Sequence, residues 1–274
     1  MSGASRGAHG RRYSGEARHV TSCPHAPTDA LTRLGHWYRT PLGRYVAHAE
    51  AVCLERLLAD SFGHYLVQFG AQEQFMDAIS TCRIRQRVVL GAGVDAGVAD
   101  GAGIRALPQS LPLDAASVDA VVLPHTLDFI AEAPDVLREV ERVLIPEGRV
   151  VIFCFNPLST WGLLRRWPHR GGRRVPWCGA QLTPFRIGDW LRLLGFTQET
   201  REMLVFRPPL RRAQSPRLDW MDAAGARWWP VLGGVFAVRA VKRVPAYTPM
   251  RPAWTPPLLP GRPAEPTVRR QRNG

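Results

Sequence analysis

Residues 117–156, SVDAVVLPHTLDFIAEAPDVLREVERVLIPEGRVVIFCFN, read as a strand, a helix and a second strand. Val118 to Leu123 is a nearly all-apolar run rich in β-branched residues, the pattern of a strand buried on both faces of a parallel sheet. Pro124 stops it. From Pro134 onward, Val136, Leu137, Val140, Val143 and Leu144 recur at helical spacing, while Asp135, Arg138, Glu139, Glu141 and Arg142 fill the other side, so this helix lies on a sheet. Pro134 suits a first helical turn, Asp135 complements the positive end of the helix dipole, and Pro146-Glu147-Gly148 makes a stop and turn. Arg149 to Phe155 then supplies the second strand. Strand, crossover helix and strand form a βαβ unit, and the fold class is α/β with an open, mostly parallel sheet and helices on both faces.

The pattern extends in both directions. Upstream, His64 to Phe69, Arg87 to Leu90 and Ile104 to Leu107 read as strands, and the glycine-rich 92–103 leaves little room for a crossover helix. Asp119, at the amino end of its strand, reads as structural. Downstream, Thr183 and Pro184 cap and open a helix with the stripe Ile187, Trp190, Leu191 and Leu194, ended by Gly195. Glu202 to Phe206 and Val235 to Val244 are the last strands, separated by an insertion from Pro208 to Gly225. Before the sheet, residues 29–60 hold two helical patterns broken at Thr40-Pro41-Leu42-Gly43. The second places Tyr45, Val46, Ala49, Val52, Cys53, Arg56 and Leu57 inside and Glu50 and Glu55 outside. Residues 1–28 and the Pro/Arg-rich 245–274 lack periodicity and read as disordered, leaving 29–244 as one domain.

The order V-D-A-V-V-L, H-T-L-D-F and R-V-L-I-P-E-G-R resembles the fourth strand, helix and fifth strand of class I S-adenosylmethionine-dependent methyltransferases of the methyltransferase type 11 kind. L-P-H-T-L-D-F, F-N-P-L-S-T-W-G-L and R-W-W-P-V-L-G-G-V-F are similar to a bacterial family of uncharacterised methyltransferase-domain proteins, over roughly Trp37 to Trp254. The resemblance implies a Rossmann-like, seven-stranded sheet with the last strand antiparallel, S-adenosyl-L-methionine as cofactor, and methyl transfer to an unknown acceptor.

Ligands of open α/β sheets bind at the carboxyl ends of the strands, where strand order reverses. That rule singles out Gly70, Leu90, Leu111 and the residues after Leu123; the resemblance then implies Gly70, Leu90, Leu111, Pro112 and His125 on the cofactor side, and His125 with Asn156 on the acceptor side as the catalytic candidates. An imidazole at a strand end suits proton transfer near neutral pH, although a lone histidine also serves to bond a loop carbonyl. Asp128 offers it a partner. Three polar features depart from the family's pattern. The run after the first strand is Gly70-Ala71-Gln72-Glu73-Gln74 in place of G-x-G-x-G. Leu90-Gly91 stands where an acid would hold the ribose, with Asp95 and Asp100 in the following loop. Leu107-Pro108 stands where an acid would meet the adenine. The rival reading is therefore a catalytically degenerate methyltransferase fold that binds or regulates, meeting RNA or another anionic partner through the Arg-rich segment 165–186.

Composition bounds the rest. The 274 residues are 45% hydrophobic and 22% charged, enough for a sizeable core. A formal charge of +13 invites nucleic acid, but nearly every cation is arginine, with Lys242 the one lysine, a skew that GC-rich coding also produces. Nucleic acid is accordingly not the favoured partner, and oligomeric state is not legible. Five scattered cysteines without C-x-x-C spacing suggest neither zinc nor disulfides. The N-terminus lacks the apolar core of a secretion signal, and no run approaches the roughly 18 apolar residues of a membrane span, so a soluble, cytoplasmic protein without a membrane partner is expected.

Overall fold

The structure, a computed structural model, describes residues 27–70, 72–91, 103–165, 181–209 and 218–244. The disorder expected at both termini, the glycine-rich loop with Asp95 and Asp100, and most of the Arg-rich segment lie outside the described residues. Pro245–Gly274 forms a unit separate from Met1–Val244.

Two helices come first, α1 (Pro27–Tyr38) and α2 (Pro41–Leu58). The Thr40 hydroxyl accepts from the Gly43 amide at 3.1 Å, and Pro41 opens the first turn. The buried side of α2 is Gly43, Val46, Ala47, Glu50, Cys53, Leu54, Leu57 and Leu58. This corrects the expected stripe: Val52 and Arg56 are exposed, and Glu50, expected outside, is fully buried. The physical reason is that α2 packs on a neighbouring helix as well as on the sheet, which turns the Leu54 and Leu58 row inward. The one carboxylate in that row finds hydrogen-bond partners there.

The chain continues as β1 (Phe62–Phe69), α3 (Gln72–Ser80), β2 (Arg83–Gly91), β3 (Gly103–Arg105), β4 (Val118–Pro124), α4 (Thr126–Phe129) and α5 (Ala133–Val143). It closes with β5 (Leu144–Phe155), α6 (Thr160–Arg165), α7 (Pro184–Leu193), β6 (Phe196–Leu204), α8 (Asp219–Trp228) and β7 (Val235–Lys242). The sheet order is β3-β2-β1-β4-β5-β7-β6. Pairings from β3 through β5 are parallel, and β7 runs antiparallel to both neighbours. Several strand bounds differ from expectation, with β1 starting at Phe62, β2 at Arg83 and β5 at Leu144. β3 ends before Leu107, which instead bridges to Ser110, and β6 starts at Phe196 because its exposed residues are polar and hide the alternation of an edge strand.

The period of two divides the sheet residues between two cores. Leu66, Ala120, Val122, Val151, Phe153 and Ala237 face α1, α2 and α3. Val67, Val121, Leu123, Val150, Ile152 and Val238 face α5 and α7. On α5, Val136, Leu137, Val140 and Val143 are all buried, as the spacing predicts, and each contributes about 1.5–3 kcal/mol on leaving water. Asp119 is structural: its Oδ2 accepts from the amides of His64 and Tyr65, both at 2.8 Å, and ties the start of β1 to β4. Among the described residues no helix is long and apolar enough to cross a membrane.

Candidate functional site

Strand order reverses between β1 and β4, so the crevice at their carboxyl ends is the place where this topology accepts a ligand. Gly70 ends β1 with φ +78°, a left-handed conformation that a side chain opposes. Its amide donates to the Leu90 carbonyl at 2.9 Å, and its own carbonyl accepts from Gln68 Nε2 at 2.8 Å. A Cβ at this position would meet Leu31 of α1 at 3.6 Å and the Thr126 hydroxyl at 3.9 Å. The expected glycine-rich loop is replaced by a turn so short that α3 begins at Gln72. One left-handed glycine is all that such a turn requires.

Facing it, the turn after β4 is fixed from every side. The His125 amide donates to the Phe153 carbonyl at 2.9 Å, and the Thr126 hydroxyl donates to the Phe69 carbonyl at 2.9 Å, joining the ends of β4, β5 and β1. His125 itself is left-handed, φ +54°. Its Nδ1 lies 2.8 Å from Asp128 Oδ2 and its Nε2 lies 2.8 Å from Glu50 Oε1. The Tyr38 hydroxyl donates to the second oxygen of Glu50 at 2.7 Å, and the Phe155 amide donates to Asp128 at 3.0 Å. The imidazole stacks on the Phe155 ring at 3.9 Å. Histidine and both carboxylates are buried.

Burial by itself pushes the His125 imidazole down, but the Glu50 charge and the bonds to both carboxylates outweigh it and raise the group to about 9. The ring is therefore cationic at neutral pH. Burial pushes the Asp128 carboxyl up, against the pull of His125 and of the Phe155 amide. The shifts of the two partners thus oppose the simple picture of an ion pair that lowers its acid. Two carboxylates act on the single imidazole, which holds its proton between them. Burial, with Glu50 beside it, also pushes the Tyr38 hydroxyl well up, and burial next to Asp128 does the same to the Cys154 thiol.

Each expected site residue has a definite place. Gly70, Leu90 and Leu111 gather at one end of the sheet: Leu90 and Leu111 are buried in one cluster with Phe69, and Leu111 is held by α5 through its amide to Glu139 Oε1 at 2.8 Å. Pro112 beside it is exposed. His125 is next to Gly70 in space through Thr126, yet both of its ring nitrogens are engaged and neither is left for an acceptor. Asn156 is buried as well. Its Nδ2 donates to the carbonyls of Val231 and Gly233 at 2.8 and 2.9 Å, and its Oδ1 accepts from the Leu158 amide at 3.0 Å. It clamps the turn after β5 to the turn before β7. Glu50 and Tyr38 escaped the sequence reading, although Glu50 sits four residues from Val46 and three and four from Cys53 and Leu54, in the middle of an apolar row.

The crevice fits S-adenosylmethionine in part. Gly70 has the left-handed, side-chain-free backbone that a methionyl group would approach, but it is buried beside Leu31 and Thr126 with its amide and carbonyl both bonded, and Leu90 and Leu111, apolar as an adenine needs, are buried in the core. The ribose position fits less well: β2 ends in Leu90-Gly91, and no carboxylate reaches it from the described residues.

Residues 89–152 match the family described as a methyltransferase domain. The uncharacterized protein YafS of Escherichia coli (strain K12) is 31% identical over 161 residues, which are 58% of this chain and 64% of that protein. The chain thus spans somewhat less than two thirds of this relative. Among solved structures, an S-adenosylmethionine-dependent methyltransferase from Thermotoga maritima is similar with a TM-score of 0.58 at 16% identity, covering 80% of this chain and 100% of that one. A chain from the complex between the Haloferax volcanii Trm112 methyltransferase activator and a methyltransferase is similar with a TM-score of 0.53 at 15% identity, covering 77% and 98%. At such identities the likeness is one of fold.

Proposed function

We propose that this chain is a class I S-adenosylmethionine-dependent methyltransferase that binds S-adenosylmethionine at the carboxyl ends of β1 and β4 and passes its methyl group to an acceptor, a reading supported by its sheet order and by the methyltransferase domain matched within it. The observation that carries this reading is Gly70, left-handed at the point where strand order reverses. When bound, the cofactor supplies an electrophilic methyl on a sulfonium. Gly70 and the start of α3 would receive the methionyl end, while Leu90 and Leu111 would flank the adenine. Departures at the ribose predict weaker binding than an intact acid would give.

The protein's share of the chemistry is placement. His125 and Asn156 are both fully engaged, so the described strand ends hold no free general base, and catalysis falls to proximity and orientation. An acceptor that is already a good nucleophile, or that gives its proton to solvent, suits such a site. The Glu50–His125–Asp128 group keeps the turn after β4 in place and so positions Thr126 against β1. The rival is a binding protein without catalysis, a reading that rests on the lack of a carboxylate at the end of β2 among the described residues.

Transfer is tested by incubating the protein with methyl-labelled S-adenosylmethionine and an extract of cells lacking it. Label entering one extract component in the presence of the wild type, and not with Gly70→Asp, is the expected result. Cofactor binding without label transfer to any component would leave the rival standing in its place.

A further inference from the structure

We propose that the amino-terminal halves of β1 and β2 form a docking surface for single-stranded RNA. Phe62, His64 and Tyr65 of β1 and Arg83, Arg85 and Gln86 of β2 are exposed, whereas the carboxyl ends of both strands are buried. The parallel register pairs Phe62 with Arg83 and Leu66 with Arg87. Because side chains alternate between faces, Phe62, His64, Arg83, Arg85 and Arg87 share the face of Leu66, on the side of α1, α2 and α3. α2 ends at Leu58 and α3 at Ser80, so the first residues of both strands reach past the helices that cover the rest of that face. Phe62 is 75% exposed and plays no part in either core.

Charge here is positive from described residues. β1 and β2 hold three arginines and no Asp or Glu. Arg83 and Arg85 have no ion pair among the described residues. Arg87 turns back to donate to the carbonyls of Ser80 and Cys82 at 3.0 and 3.4 Å, and so keeps its charge without a counter-ion. The neighbouring carboxylates are already engaged: Asp119 accepts the amides of His64 and Tyr65, Asp60 is shared by Arg149 and Arg239, and Glu199 also pairs with Arg239. Asp77 of α3 lines the groove between α2 and α3 together with Arg44. Arg83, Arg85, Arg87, Arg149 and Arg239 thus outnumber Asp60, Asp119 and Glu199 at this end of the sheet.

Chemistry identifies the occupant. Arginines at alternate positions of a strand recur about every 6.7 Å, a row along which a phosphate backbone can run. The exposed phenyl and imidazole rings beside them offer stacking faces for unpaired bases. A duplex keeps its bases stacked and would leave Phe62 unused, whereas the loops and ends of RNA present bases that are free to stack. Composition alone argued against nucleic acid because arginine is spread along the chain; the strand register is what gathers these cations beside Phe62. The surface lies roughly 26 Å along β1 from Gly70, so it anchors RNA away from the crevice and does not depend on the methyltransferase reading.

The test is fluorescence anisotropy of a labelled oligouridylate titrated with the full chain, with oligothymidylate and duplex RNA as comparisons. The oligouridylate should bind most tightly. The double variant Arg83→Gln, Arg85→Gln should weaken it at least about tenfold and reduce the slope of log affinity against log salt by about 1.4. Phe62→Ser should weaken it about fivefold or more with the salt slope unchanged. Both variants should melt near the wild-type temperature, since these side chains are exposed. Absence of oligouridylate binding at low salt overturns the proposal. So does equal binding by the arginine variant, which would mean that cations elsewhere carry it, and so does equal binding by Phe62→Ser, which would mean a general polyanion site. Tighter binding of the duplex or of oligothymidylate would overturn the assignment to single-stranded RNA.

Discussion

Glu50 determines what His125 is able to do. A histidine raised to about 9 between two buried carboxylates is a fixed cation at neutral pH, with no nitrogen left to relay protons. Its folded value lies above the ordinary 6.5, so the stability it contributes is complete below about 6.5 and is lost as pH rises through about 9. Asp128, whose carboxyl is also raised, acts in the same sense: its contribution too is complete at low pH and falls as pH rises. Replacing Glu50 with Gln removes the largest upward influence, and the imidazole midpoint, followed by its nitrogen chemical shifts, should move down by at least about one pH unit. An unmoved midpoint would show that Glu50 does not hold the ring. Asn156→Ala should cost about 3 kcal/mol in denaturant unfolding, because two carbonyls and an amide lose a buried partner; a stable variant defective only in methyl transfer would instead place Asn156 at the acceptor. The sequence marked His125, Asp128 and Asn156 as special by their strand-end positions. It could not say what the second nitrogen of His125 or the amide of Asn156 would meet, since Glu50, Val231 and Gly233 lie 75 or more residues away.

At the scale of elements, α8 is held mainly by specific contacts in place of a broad apolar face. Gly225 is its one buried residue, and a Cβ there would lie 2.4 Å from Phe206. Gly225→Ala should therefore destabilise by about 1–3 kcal/mol through overpacking and raise proteolysis between β6 and β7, measured as the rate of cleavage in that stretch; an unchanged rate would mean that α8 is seated otherwise. The same contrast explains which elements were legible. β4, α5 and β5 declare themselves because every core position is apolar at the right period. α2 was placed a notch out of register because Glu50 interrupts the row that faces inward, and its burial makes sense only once Tyr38 and His125 are beside it. β6 hid its first half because an edge strand keeps polar residues on its open side.

For the whole molecule, fold and chemistry are encoded at different densities. Dozens of alternating and helical apolar positions specify the sheet order, and losing any one of them leaves the pattern readable. Cofactor recognition rests on a few polar atoms at strand ends, and here one glycine remains where three would be expected, with leucine at the ribose position. In the described structure Gly70 has a left-handed backbone, and His125 and Asn156 bond to protein groups that brace the turns after β4 and β5. Calorimetric titration of the purified chain with S-adenosylmethionine and S-adenosylhomocysteine tests this account most directly. Saturable binding of both, weakened at least about tenfold by Gly70→Asp in a variant that still unfolds cooperatively, is the predicted result; no heat of binding for either ligand at millimolar concentration would contradict it.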